Sequence, residues 1–181
     1  NIYRAVNIGL ANEMKIVADS FDLDIYEIIK AAATKPFGFS AFYPGPGVGG
    51  HCIPIDPAYL NWKARKKNTQ SKLIDTALEI NRDISDFVIK KTEESLDKKS
   101  KSINNSKILI LGISYKSNID DIRESPSIDI IDKLIALNAE VSFDDSYVPL
   151  SILGNRATEL KKVEDVTKNK EKIQEYDAVL L

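Results

Sequence analysis

Apolar residues recur at helical spacing from residue 2 to residue 18, where Ile2, Val6, Leu10, Met14 and Val17 would share one face. The small residues Ala5, Gly9 and Ala11 fall in the same run and would let a second helix approach closely. Asp22 or Asp24 can cap a second helix with Ile25, Ile28, Ile29 and Ala32 on its inner face. Thr34, Lys35 and Pro36 end it, because the residue before a proline is pushed out of the helical region. Residues 71–99 read as one long helix. Leu73, Ala77, Ile80, Ile84 and Phe87 alternate spacings of four and three, a seam that suits both an interdomain spine and a dimer contact.

The period changes after a short polar stretch, residues 100–106, which reads as a domain boundary. Residues 107–112 are a short apolar run ending in glycine, the pattern of a buried parallel strand. An amphipathic helix over residues 126–138 (Ile128, Ile131, Leu134, Ile135) and a strand over 140–144 follow. Strand, helix and strand in this order form a βαβ unit with a right-handed crossover expected. Residues 156–163 carry no clear pattern, 164–175 can be helical, and 177–181 read as a third strand. No repeat or low-complexity tract occurs.

Between the second and third helical patterns lies a different kind of stretch. Gly45, Gly47, Gly49 and Gly50 fall within six residues, and the only histidine and only cysteine, His51 and Cys52, follow at once. Clustered glycines let backbone N–H groups approach a ligand closely. Asp56 followed by Pro57 reads as an N-cap and first helical position, so a short helix is expected over residues 57–67. Cys52 would then stand between a backbone cradle and a helix N-terminus, where the dipole favours a thiolate.

Two other readings of this stretch compete. Residues 45–50 satisfy G-x-G-x-x-G formally, but that fingerprint needs a strand before it and a helix opening from it. Here Pro44 and Pro46 interrupt, and Ile53-Pro54 follows, so a dinucleotide clasp is rejected. A thiol–imidazole dyad is disfavoured because neighbours in an extended segment point to opposite faces. A buried, inert cysteine is the plain alternative.

In the second half, residues 113–126 follow a parallel strand at its carboxyl end, where open α/β sheets bind ligands. Tyr115 offers a flat face, Lys116 a cation and Arg123 a bidentate fork for phosphate. Asp120, Asp121, Arg123 and Glu124 could equally be a surface charge cluster.

Composition narrows these options. The 181 residues carry a net charge of −2, which argues against a nucleic-acid surface, and the basic runs at 65–67 and 98–101 suit solvated helix ends. One cysteine excludes an internal disulfide framework and fits a reducing, cytoplasmic compartment. No apolar run reaches the roughly 18 residues of a membrane span, so no membrane partner is expected. The chain starts on a helical pattern without Met and stops inside a strand pattern, the expectation for a piece of a larger protein.

Gly49-Gly50-His51-Cys52-Ile53-Pro54-Ile55-Asp56-Pro57 resembles the UDP-glucose/GDP-mannose 6-dehydrogenases, and most of all the branch acting on UDP-N-acetylhexosamines. Trp62-Lys63-Ala64 leans the same way. The resemblance continues in Gly112-Ile113-Ser114-Tyr115-Lys116, in Asp121-Ile122-Arg123-Glu124-Ser125-Pro126, and in the first residues with Asn12-Glu13. It implies an α/β protein in which an all-α central dimerisation domain (1–99) is joined by a long helix to a Rossmann-like UDP-binding domain (107–181, incomplete at its end). It also implies an NAD-binding domain outside these residues.

By the same resemblance Cys52, Asp56 and Asn1 are catalytic. Tyr43, Pro44, Gly45, Pro46, Gly47, Val48 and Gly49 wrap the sugar and diphosphate, and Tyr115 and Lys116 touch the UDP moiety. Arg123, Ile55 and Cys52 meet NAD, and no metal is implied. The substrate expected is a UDP-sugar and the partner a second copy of the chain. A catalytic lysine is expected four residues before Asn1, so these residues alone should be inactive. The family's cross-dimer arginine falls on Pro36, beside Lys35, and His51 replaces a small residue. UDP-N-acetylglucosamine, UDP-N-acetylmannosamine and UDP-glucose all stay open, and GDP-mannose is disfavoured. Two further readings are a non-catalytic UDP-sugar-binding or dimerisation module and a thiol hydrolase using Cys52 and His51.

Overall fold

A computed structural model describes residues 1–166 and 170–181. The chain divides into two compact units, Asn1–Ile84 and Ser85–Leu181, described separately below.

The first unit is helical, with α1 at Ile2–Ser20, α2 at Ile25–Ala32, α3 at Cys52–Arg65 and the first half of α4 (Lys72–Asp97). Asp24, rather than Asp22, caps α2 by accepting from the Tyr26 N–H at 2.8 Å. The inward face of α1 departs from the expected one. Ala5, Gly9, Ala11, Asn12 and Ala18 are buried, whereas Leu10, Met14 and Val17 are exposed. The small residues decide this, because they allow the closest helix–helix approach. A methyl group added at Gly9 would lie 3.1 Å from the Ala77 carbonyl oxygen of α4 and 3.2 Å from its Cα. The inward stripe of α4 is likewise lined by small and polar residues. Ala77 and Ile84 are buried, Leu73 is exposed, and the polar Asn81 and Ser85 sit on the buried stripe.

The helix expected to start at Pro57 starts instead at Cys52 and runs through Pro57. Pro54 falls in the first turn, where backbone N–H groups have no intrahelical partner anyway. Pro57 lies deeper and removes one helical hydrogen bond, a cost set against its burial. Asp56 therefore is not the N-cap. That position belongs to His51, whose backbone is helical (φ −86, ψ −43), so the premise of an extended His51–Cys52 pair does not hold.

The second unit is an α/β layer. Parallel strands β1 (Lys107–Leu111), β2 (Glu140–Asp144), β3 (Lys161–Lys162) and β4 (Ala178–Leu180) lie in the order β3-β2-β1-β4. Lys107 pairs with Glu140 and Leu111 with Asp144, while Ile108 pairs with Ala178 on the other side of β1. Ile108, Leu109 and Ile110 are all buried, as expected of a strand covered on both faces. Helix α5 (Pro126–Ala136) presses Ile130, Ile131 and Leu134 into the core, joined by Leu96 from the end of α4. A 3-10 segment covers Leu150–Thr158. Of the helix expected over residues 164–175, the described residues show α6 (Lys170–Ile173), and residues 167–169 lie outside the described residues. Among the described residues no helix is long and apolar enough to cross a membrane.

Candidate active site

The strand order places a reversal beside β1: β2 follows on one side and β4 on the other. In open α/β sheets the crevice at such a reversal, outside the carboxyl ends of the strands, receives ligands. The chain leaving β1 there is fixed by one carboxylate. Asp145, buried just after β2, accepts from the N–H groups of Ile113 (2.9 Å) and Ser114 (3.3 Å) through one oxygen. Its other oxygen accepts from Tyr147 (2.9 Å) and Val148 (3.2 Å). Burial pushes the Asp145 carboxyl up, but these four donors outweigh it and hold the group below the ordinary carboxylate range. From the other side Ser125 donates its hydroxyl to the Ile113 carbonyl at 2.7 Å.

On this frame Tyr115 and Lys116 are exposed. The Arg123 fork is engaged by its neighbour: Nε and the adjacent terminal nitrogen donate to Asp121 at 3.0 and 2.6 Å. That guanidinium holds the Asp121 carboxyl down at about 2 and is itself raised by it. Gly112 is the single glycine of this βα turn, and a methyl group added to it would meet nothing within 4 Å. A turn with one glycine lacks the glycine cluster of the dinucleotide fingerprint.

In the first unit, Cys52 is a free, exposed thiol at the first position of α3. The bland reading of a buried cysteine is therefore overturned. Asp56 follows four residues later in the same helix, on the same face. Asn1, at the N-cap of α1, donates its amide to Asp56 at 2.5 Å. Residues 55 apart in sequence thus meet one helical turn from the thiol. Ile55 is half-buried in that first turn.

The glycine stretch has its own anchor. Gly45 donates its N–H to the side-chain oxygen of the fully buried Asn12, at 2.9 Å. Gly47 and Gly50 take positive φ values of 145° and 83°, which fixes why glycine stands there. Tyr43 stacks on Tyr26 with ring centroids 6.3 Å apart, while Pro44, Val48 and Gly49 are half-buried and Pro46 is exposed. Pro36 and Lys35 are exposed. Two residues of this machinery, Asp145 and the Asn12 side chain, carry no role in the sequence reading. A signal existed for each: an aspartate directly after a strand, and an amide inside an apolar helical run.

Comparison with known proteins follows the same division. Residues 1–83 match the UDP-glucose/GDP-mannose dehydrogenase family, central domain, and residues 109–181 match the family's UDP binding domain. The chain belongs to the UDP-glucose/GDP-mannose dehydrogenase family. It is 38% identical over 164 residues to a UDP-N-acetyl-D-mannosamine dehydrogenase of Campylobacter jejuni, covering 88% of this chain and 38% of that protein. It is 41% identical over 147 residues to one from Methanocaldococcus jannaschii, covering 81% and 32%. Among solved structures, a UDP-D-ManNAc dehydrogenase from Pyrococcus horikoshii superposes with a TM-score of 0.78 at 28% identity, over 97% of this chain and 43% of that one. The chain thus spans well under half the length of these relatives. For a member of this family, the exposed thiol and the Asn1–Asp56 pair are the groups whose chemistry needs explaining.

Proposed function

We propose that this chain carries the cysteine-bearing and UDP-binding parts of an NAD-dependent dehydrogenase. It would oxidise the 6-hydroxyl of a UDP-N-acetylhexosamine to the carboxylate, a step that supplies uronate precursors for surface polysaccharides. The observation that carries this reading is the exposed Cys52 at the start of α3, one turn from the hydrogen-bonded Asn1 and Asp56.

A cysteine thiolate is a good nucleophile toward an aldehyde. When bound, NAD supplies the hydride acceptor, two molecules in turn taking the two hydrides that leave the sugar carbon. The Cys52 thiolate adds to the intermediate aldehyde, giving a thiohemiacetal. Loss of the second hydride, with the hydroxyl proton passing to solvent, leaves a thioester. Asp56 takes a proton from the water that attacks this thioester, and the carboxylate product departs as the thiol reforms. Asn1 fixes which way Asp56 faces, so that one of its oxygens remains for the water. Tyr43, Gly45, Gly47 and Gly49, with Pro44, Pro46 and Val48, would line the sugar and diphosphate, and Tyr115 and Lys116 the UDP moiety. Ile55 and Arg123 would meet the cofactor.

Residues 1–99 and 107–181 are read as the two domains, with residues 71–99 as the connecting helix. The first is proposed to pair with a second copy of the chain. Support comes from Leu10, Met14, Ile28 and Phe39, apolar side chains that line an open cavity of about 560 Å³ in the first unit. A cytoplasmic, reducing setting suits an exposed thiol that must stay unoxidised.

The test uses the full-length protein with UDP-N-acetylmannosamine, UDP-N-acetylglucosamine or UDP-glucose and excess NAD. Two NADH per sugar are expected from one of the two acetylated sugars. Cys52→Ala should lower uronate formation by about a thousandfold or more. One NADH per sugar, or an indifferent Cys52→Ala variant, would remove the thioester route.

A further inference from the structure

Asn12, Asn81 and Ala5 form a buried relay that ends on Gly45. Asn81 donates its side-chain N–H to the Ala5 carbonyl at 2.8 Å, and Asn12 donates to the Asn81 side-chain oxygen at 2.9 Å. The Asn12 oxygen then accepts the Gly45 N–H at 2.9 Å. The two ends are backbone groups of fixed polarity, a carbonyl in α1 and an amide N–H in the glycine stretch. Between them each asparagine has one orientation that satisfies both neighbours. Turning either amide over would set donor against donor or acceptor against acceptor. Asn12 is 0% exposed and Asn81 7% exposed, so water is poorly placed to repair such an error.

Pro44 and Pro46 have no N–H, which leaves Gly45 as the one backbone donor of residues 44–46. The relay holds that donor. We infer that Asn12, oriented by Asn81, is a positioning residue for the loop of residues 43–49, and that amide polarity rather than bulk does the positioning. This rests on the reading of that loop as the sugar–diphosphate cradle. Neither asparagine is proposed to touch substrate. Asn81 acts at one remove, through Asn12.

The experiment uses the full-length protein and its Asn12→Ala and Asn81→Ala variants. KM is measured for the UDP-sugar and for NAD, with hydrogen exchange read at the Gly45 amide. Both variants should raise the UDP-sugar KM about tenfold, the worth of one lost hydrogen bond. Their NAD KM should stay within about twofold, and Gly45 exchange should accelerate. If Asn81→Ala lowers the melting temperature but leaves the UDP-sugar KM and Gly45 exchange at wild-type values, the pair is only helix packing and the inference fails. Should the alanine variants not fold, Asn12→Leu keeps the bulk and removes both polar groups. Gly45 exchange should then accelerate, and a protected Gly45 amide in that folded variant overturns the relay. A wild-type protein that turns over no UDP-sugar would sink the functional reading instead, and Gly45 exchange would still decide the relay.

Discussion

The two candidate ligand loops are held from behind by the same device built from different chemistry. In the first unit a neutral amide, Asn12, accepts one backbone N–H, from Gly45. In the second a carboxylate, Asp145, accepts four, two from the turn after β1 and two from residues 147 and 148. Hydrogen bonds to a charged acceptor are roughly twice as strong as neutral ones, but the charge must be kept out of water to make them. The carboxylate suits an anchor that gathers several donors at one point. The amide suits a relay, because it passes orientation from one side to the other, which a symmetric carboxylate cannot do.

The largest expected effect breaks the carboxylate anchor. Asp145→Asn is nearly isosteric, yet it turns one acceptor oxygen into a donor and leaves two backbone N–H groups facing it. We expect a loss of about 2–4 kcal/mol in the second unit, from two buried donors left without partners. Denaturation followed by circular dichroism, together with UDP affinity, measures this. Trp62, the only tryptophan, lies in the first unit and serves as a separate fluorescent reporter there. A variant with wild-type stability would show that the Asp145 bonds are incidental and that the comparison fails.

A pH titration sharpens the same contrast. The folded-state pKa of Asp145 is depressed, so its contribution is fully present above the unfolded carboxylate value of about 4 and is lost as pH falls through the folded one. Amide resonances of Ile113 and Tyr147 should therefore move together below about pH 4, and the second unit should weaken there. Gly45, held by an amide that does not titrate, should show no such step. The Asp145→Asn variant should lose the step. A Gly45 resonance that tracks Ile113 would mean that the acid transition is global and says nothing about either anchor.

How far the sequence foretold these regions follows from what each pattern encodes. Short apolar runs and period-3.6 patterns describe local burial, so β1, β2, α2 and α5 have expected bounds close to those observed. The start of α3 did not, because Asp56-Pro57 carries the usual signature of a helix beginning. The true start lies among prolines that the first turn tolerates. The inner face of α1 was misjudged for a different reason. Leu10, Met14 and Val17 are apolar but exposed, while the close approach of Gly9 to Ala77 draws the small residues and Asn12 inward. β3 has two residues, too few for any period to register. Of the candidate site, the residue types at Cys52, Asp56 and Asn1 were legible, but the pairing of Asn1 with Asp56 is a long-range fact that only the fold supplies.

The smallest expected effect probes the spacing on which the amide relay depends. Gly9 and Ala77 touch along the same pair of helices that carries Asn12 and Asn81, and neither makes a relay bond. Gly9→Ala gains helix propensity worth about 1 kcal/mol. Against this, its methyl group lies tightly against the Ala77 backbone, which can yield only if α4 shifts as a unit. The two terms nearly cancel, so the change in stability should stay within about 1 kcal/mol, a few degrees in melting temperature. The relay cannot compensate in that way. Its bond from Asn12 to Asn81 must lengthen as α1 and α4 separate, and Gly45 exchange should accelerate even where stability hardly moves. Unchanged exchange in a protein of unchanged stability would show that the relay absorbs the shift through side-chain rotation and that helix spacing does not set the loop.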